Sequence, residues 1–331
     1  MDSFRIFPLW WPLLAAVSPA VVPLLLLRNK RFKQNRQAAT RKNRQRIRNA
    51  APLSLPELEF LELTVLVEEK TQSGFVGDAG VSYIFKSDRG TLLFDVGFGQ
   101  ERPAFPENAK KLGFDLGQVD AIAISHLHPD HMGGVRASRK KEIFSPDRSY
   151  TRVGELTCYT PENAVSRVFQ CQTVDAPKVL SGGIASTGPL ARSLFFFGLT
   201  EEQALIARLK NRGLVVFTGC GHPTADIILE MVRHISDEPI YAFGGGLHFP
   251  ITGGRGNLAG IQIQTIIGTG KPPWEKISGA DMNRTIEAIN RNRPEKVYLS
   301  GHDSCDWALA KMQERLRART HVLEAGKTYR F

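Results

Sequence analysis

Three hydropathy patterns follow one another along the chain. From Ile6 to Leu27 lie 22 residues without a charge. As a helix they extend about 33 Å at ~1.5 Å per residue, enough to cross a hydrocarbon layer of roughly 30 Å. Pro8, Pro12, Pro19 and Pro23 interrupt the run. Each removes a backbone donor and leaves a carbonyl needing another partner in lipid, so a kinked span and an interfacial anchor both fit. Trp10 and Trp11 suit the headgroup level, where an indole keeps its N–H hydrated. Arg28 to Ala50 is then polar and basic, and Ala51 to Pro56, with two prolines, reads as a linker.

From residue 57 onward, short apolar runs end in turn residues. Strands are expected at Leu58–Val67, Val81–Phe85, Thr91–Asp95, Val119–Ser125, Ser193–Phe197, Leu214–Thr218, Ile240–Phe243, Lys296–Leu299 and His321–Glu324. Helices are expected at Pro106–Leu112, Thr224–Ile235, Asp281–Asn292 and Ser304–Arg317. Strands cluster first and then alternate with helices, which makes the class α/β or α+β with helices covering sheets. Residues 251–278, rich in glycine, interrupt the pattern as a long loop of the kind that is functional or disordered. The organisation is thus an amino-terminal membrane anchor over 1–27, a polybasic juxtamembrane segment and linker over 28–56, and a globular body over 57–331.

Charge changes the picture only locally. The 331 residues carry 43 Lys+Arg against 33 Asp+Glu, a formal charge of +10. Ten basic residues and no acidic one fall between Arg28 and Ala50, and removing residues 1–50 leaves 32 of each sign. The body is neutral, which argues against a global cationic surface for DNA or RNA, and no nucleic-acid partner is expected. A secretory signal would carry its positive charge before the apolar run, whereas here it follows, so cleavage is disfavoured. The positive-inside bias places the amino terminus outside and the body in the cytoplasm, with residues 6–48 against lipid. Cys158, Cys171, Cys220 and Cys305 form no CxxC pair and fit a reducing compartment.

Three of the eight histidines lie in Ser125-His126-Leu127-His128-Pro129-Asp130-His131. Side chains at alternate positions after a strand point to one side, so His126 and His128 can share an ion while Asp130 and His131 face a neighbouring one. Imidazole with carboxylate suits zinc, manganese or iron. His222, His248 and His302 each end an apolar run followed by glycine, and strand ends on one sheet edge converge. His222 and His302 are expected to be ligands, and His248 a ligand or a substrate contact. His234 and His321 read as ordinary residues.

These residues resemble the metallo-β-lactamase superfamily: HxHxDH at 126–131, TLLFDVG at 91–97 and the late GH at 301–302 match its pattern. STGPL at 186–190, TGCGH at 218–222 and GGGLH at 244–248 look more narrowly like the dihydropterin ribofuranosylaminobenzene-phosphate synthase-like branch. The resemblance covers about residues 57–331. It implies an αββα sandwich with two divalent metals, His126 and His128 holding the first, Asp130, His131 and His302 the second, and His222 completing the set. Many members carry a bridging Asp where this chain has Cys220, and Ser186-Thr187-Gly188 stands where hydrolytic members have a further histidine. The Asp of the DxG segment, here Asp95, either supports the metal loop from behind or caps a turn.

The function expected is a membrane-anchored metal-dependent hydrolase using a metal-bound hydroxide on a small ester, lactone or phosphoester. Asp130 orients the water or relays a proton, and His248 stabilises developing charge or protonates the leaving group. Alternatives are a pterin-phosphate synthase-like enzyme and a non-catalytic metal-stabilised membrane binding protein. Gly253-Gly254-Arg255-Gly256 is weighed as a phosphate contact against a flexible loop, which is favoured.

Overall fold

The computed structural model describes residues 6–331. The first five residues of the amino-terminal segment lie outside the described residues. Two sheets face each other, because the strands of each carry an apolar face that must be buried. The first has seven strands in the order Thr328–Arg330, Leu61–Val67, Ser82–Ser87, Gly90–Phe94, Ala121–Ala123, Thr157–Thr160 and Gln170–Thr173. The second runs Arg319–Val322, Lys296–Leu299, Ile240–Gly245, Gly213–Thr218, Leu205–Leu209, Ile184–Ser186 and Lys178–Ser181, with Glu57–Leu58 alongside Leu205–Leu209. Tyr83, Phe85 and Phe94 from the first sheet meet Phe217, Ala242 and Tyr298 from the second. Phe217 sits at the centre, its ring 5.2 Å from that of Phe85 and 6.0 Å from that of Tyr298.

Helices cover both outer faces. Ala225–Ile235, Gly279–Asn292 and Asp306–Arg315 pack on the second sheet, and Ala104–Leu112 and Val135–Lys140 on the first, giving an αββα sandwich. Every residue of Gly213–Thr218 and of Ile240–Gly245 is buried, as parallel strands covered on both faces require. Gly213–Thr218, Ile240–Gly245 and Lys296–Leu299 are mutually parallel, so their carboxyl ends lie at one edge and the loops leaving them cluster there.

The expected strand Ser193–Phe197 is corrected. The strand is Leu190–Leu194, and Phe195–Phe197 form the turn of a hairpin with Gly198–Glu202, where Gly198 takes a φ of 81°. Cys158 and Cys171 are register partners on neighbouring parallel strands, and both thiols are free.

The amino-terminal apolar run and the basic stretch form one helix, Trp11–Asn49. Residues 28–49, read from sequence as a juxtamembrane flank, pack on the body instead of standing apart from it. Phe32, Ala39, Asn43 and Ile47 recur at helical spacing and are buried. Asn43 donates to the Ala191 carbonyl at 2.9 Å and accepts from its N–H at 2.7 Å, and Lys42 and Arg46 both reach Glu201. From Trp11 to Leu27 the helix is almost wholly exposed and carries mean hydropathy 1.9 over its most apolar window. Pro19 deprives the Ala15 carbonyl of its helical donor, and Ser18 Oγ supplies one at 2.8 Å. Below the helix, Phe7 N–H bonds the Gly260 carbonyl and Trp10 Nε1 the Ala259 carbonyl.

Candidate metal centre

The HxHxDH segment leaves strand Ala121–Ala123 and turns into a short helix, Pro129–Met132. His222, His248 and His302 leave the three parallel strands of the second sheet, so four strand ends from both sheets meet. Close approach of the loops needs glycine: a Cβ on Gly219 would lie 2.1 Å from Ser125 Oγ, and one on Gly221 2.4 Å from the Gly246 carbonyl.

His126 Nε2 lies 3.0 Å from His128 Nδ1, and His222 Nε2 lies 3.2 Å from that same atom. On the other side Cys220 Sγ is 3.1 Å from His131 Nε2 and 3.3 Å from His302 Nε2, with Asp130 Oδ2 3.5 Å from His131 Nε2. The ligand atoms of Asp130, His131, Cys220 and His302 all fall within 4.8 Å of one another, as do those of His126, Cys220 and His222. Cys220 stands between the two sets. The six residues expected as ligands are thus brought together, Cys220 with them, while His248 lies at the rim with its ring 5.0 Å from that of His222. Asp303, beside His302, forms a third grouping with Cys220 and His248. Ser186 and Thr187 bond Gln203, Gly188 and Ala204.

The outer nitrogens are already engaged. His126 Nδ1 meets Ser125 Oγ at 2.9 Å, His131 Nδ1 meets Asp95 Oδ2 at 2.6 Å and His302 Nδ1 meets Ser300 Oγ at 2.6 Å. Asp95 also accepts from Ser125 N–H and Oγ and holds a φ of 60°, which favours the supporting role over the turn cap.

Three further buried carboxylates do the same for other loops and were invisible in the sequence. Glu202 accepts from the N–H groups of Gly219, Gly221 and His222 at 3.1, 2.8 and 2.8 Å. Glu68 accepts from Gly301 N–H, Ser300 Oγ and Tyr83 Oη. Asp303 accepts from His248 N–H. Glu202 and Glu68 carry no motif, since each acts alone from a distant strand end, and Asp303 acts on the loop of His248 from beside His302.

Burial lowers the pKa of His126, His222 and His302 well below the ordinary value and brings His128 and His248 down to about 4. Burial opposes ionisation of Asp130, but His131, His302 and His128 outweigh it and hold the carboxyl low. Burial pushes the Cys220 thiol up and brings Glu68 and Glu202 to about 7. Burial acts on His131 as well, but Cys220, Asp130 and Asp95 outweigh it and raise this imidazole well above the ordinary value. The cluster thus joins four imidazoles kept neutral by burial to one held charged by its anionic neighbours, with nitrogen, thiol and carboxylate ligand atoms converging. The donor set fits divalent metal on that ground.

A solved structure described as a metal-dependent hydrolase of the beta-lactamase superfamily matches 81% of this chain and 98% of its own, with a TM-score of 0.56 at 20% identity. The chain has the metallo-beta-lactamase fold. The metallo-beta-lactamase superfamily model matches residues 76–155, the part that holds HxHxDH. The metallo-beta-lactamase fold protein YhfI from Bacillus subtilis matches 82% of the chain and 100% of its own at 14% identity, TM-score 0.49. A relative from Methanocaldococcus jannaschii, 7,8-dihydropterin-6-methyl-4-(beta-D-ribofuranosyl)-aminobenzene-5'-phosphate synthase, is 21% identical over 237 residues, 59% of this chain and 80% of the relative. The metallo-beta-lactamase fold here carries His, Asp and Cys groups able to hold a divalent metal.

Proposed function

We propose that the chain is a metal-dependent hydrolase of a small ester, lactone or phosphoester, held at a membrane by its amino-terminal helix. His126, His128 and His222 hold one ion and Asp130, His131 and His302 a second, zinc being the first choice for imidazole with carboxylate, and Cys220 stands ready between them. Ions of this kind act as Lewis acids and lower the pKa of a coordinated water to about 7. The convergence of these inward donors, with the outer nitrogens of His126, His131 and His302 fixed by oxygens, is the observation that carries the reading.

Asp130, held ionised beside His131, accepts a proton and orients the attacking water. His248 has both ring nitrogens unengaged and faces the adjoining cavity, where its N–H donates to a leaving-group oxygen. The exposed apolar helix from Trp11 to Leu27, followed by basic residues, supports attachment to an anionic lipid surface. The similarity to the synthase favours a second reading, bond formation on a pterin-like phosphate.

The test is elemental analysis of the purified full chain with profiling on carboxyl ester, lactone and phosphoester substrates. His126→Ala and Asp130→Ala are expected to lose metal and at least a hundredfold in turnover. Retention of both in both variants rejects the scheme, tightly bound metal without turnover on any class favours a binding protein, and product analysis separates hydrolysis from synthesis.

A further inference from the structure

A cavity of about 420 Å³ opens beside His222 and His248, bounded by the first turn of helix Ala225–Ile235 and by Gly268–Lys271. Polar side chains along it are left without partners among the described residues. Thr269 is 6% and His248 8% exposed, yet Thr269 Oγ1 and both ring nitrogens of His248 make no hydrogen bond. Buried polar groups are almost always satisfied, so a group of orphans facing one space marks where a ligand completes them.

Arg192 adds a charge. Its guanidinium lies against Gly270, where a Cβ would come within 2.7 Å of Nε, and among the described residues it forms no ion pair. Asp226 and Asp281 act on it only at longer range, and Asp281 is already held by Lys271 at 2.6 Å and by Arg284. The helix entering the cavity has no side-chain cap on its N–H groups; its first-turn Asp226, which lines the same space, accepts from Thr224 Oγ1.

We propose that this cavity is a phosphate subsite, in which Arg192, Thr269 Oγ1 and the amino end of helix Ala225–Ile235 hold a phosphate group of the substrate. This deepens the hydrolase reading and rests on it. Donors from three separate elements suit a tetrahedral oxyanion, whereas a planar carboxylate is satisfied by a single guanidinium fork. The rest of the substrate then extends toward His248, His222 and the donor cluster. Arg36 of the long helix acts on Arg192. It lies nine residues past Leu27, about 13 Å along a helix at ~1.5 Å per residue. At that height the phosphate can come from a soluble phosphoester or from a lipid headgroup.

The experiment uses metal-stripped full-length protein in phosphatidylcholine nanodiscs and measures binding of inorganic phosphate by calorimetry, with acetate in parallel. Arg192→Gln is expected to weaken phosphate at least tenfold and Thr269→Val severalfold, with Arg192→Lys recovering part of the loss. Unchanged affinity in Arg192→Gln, or acetate bound as tightly as phosphate, overturns the proposal. Should Arg192→Gln fail to fold by circular dichroism, equal affinity in Thr269→Val and wild type overturns it instead. Displacement of phosphate by phosphatidate within the disc assigns a headgroup, and displacement only by glycerol phosphate in solution assigns a soluble substrate. Metal content and ester turnover are measured separately. Metal with turnover but no phosphate binding sinks the subsite alone, and phosphate binding without metal uptake supports the subsite while sinking the hydrolase reading.

Discussion

Glu202→Gln tests whether a lone buried carboxylate sets the geometry of the donor cluster. Oε1 of Glu202 accepts from Gly219 and Gly221, and Oε2 from His222. An amide of nearly the same volume keeps one oxygen for the two glycine N–H groups and turns its NH2 against the N–H of His222. One buried donor loses its acceptor, at about 1–3 kcal/mol. That cost falls on the loop carrying Cys220 and His222, the residues that must stay aligned for an ion to be held. At ~1.4 kcal/mol per tenfold, zinc binding is expected to weaken about five- to 150-fold. Competition of zinc with a chromophoric chelator at pH 7.5 reads the affinity, and circular dichroism of the metal-free variant checks the fold. Zinc affinity within twofold of wild type in a folded Glu202→Gln protein would refute the clamp.

Other perturbations follow from contacts described above. Asn43→Ala leaves the buried N–H and carbonyl of Ala191 unpaired, and urea denaturation should show a loss of about 2–4 kcal/mol. Phe217→Ala removes the ring at the centre of the intersheet core and is expected to cost about 3–5 kcal/mol in the same assay. Glu68 ionises near 4.5 when unfolded and at about 7 when folded. The folded state therefore binds the extra proton, and this carboxyl's contribution is full below 4.5 and falls as pH rises to 7, by about 3 kcal/mol. Metal-free wild type should lose that amount relative to Glu68→Gln across the window, and parallel stability curves for the two proteins would contradict the assignment.

HxHxDH was legible because its donors lie within one turn, and the mixed strand-and-helix class because most of its long strands and helices keep a clear apolar pattern, the αββα sandwich itself following only from the resemblance. The three parallel strand ends were legible for the same reason, each closing a largely buried run with glycine and histidine. Glu68 and Glu202 were not, since a single carboxylate that bonds the backbone of a remote loop leaves no periodicity. Strands such as Gln170–Thr173, at a sheet edge and mostly exposed, lack the alternation that announces a strand. Ser193–Phe197 misled in the opposite sense: its first two residues end a strand and its last three form a turn whose Phe197 ring lies 4.3 Å from that of His128. Residues 28–49 hid their packing face because ten cations obscure the sparse stripe of Phe32, Ala39, Asn43 and Ile47. Arg255, weighed as a phosphate contact, instead bonds the Gly301 and Ser304 carbonyls and Asp306, fastening its loop.

The exposed stretch of the long helix is moored at both ends to the same globular body. Trp10 and Phe7 hold residues 259 and 260, while Arg28 Nε holds the Phe195 carbonyl at 2.8 Å. Eighteen residues separate the moorings, about 27 Å at ~1.5 Å each. A body lying wholly on one side of a bilayer cannot grip both ends of a rod that pierces it. Perpendicular insertion therefore requires the amino-terminal mooring to let go of residues 259 and 260, whereas a rod lying flat in the headgroup plane keeps both.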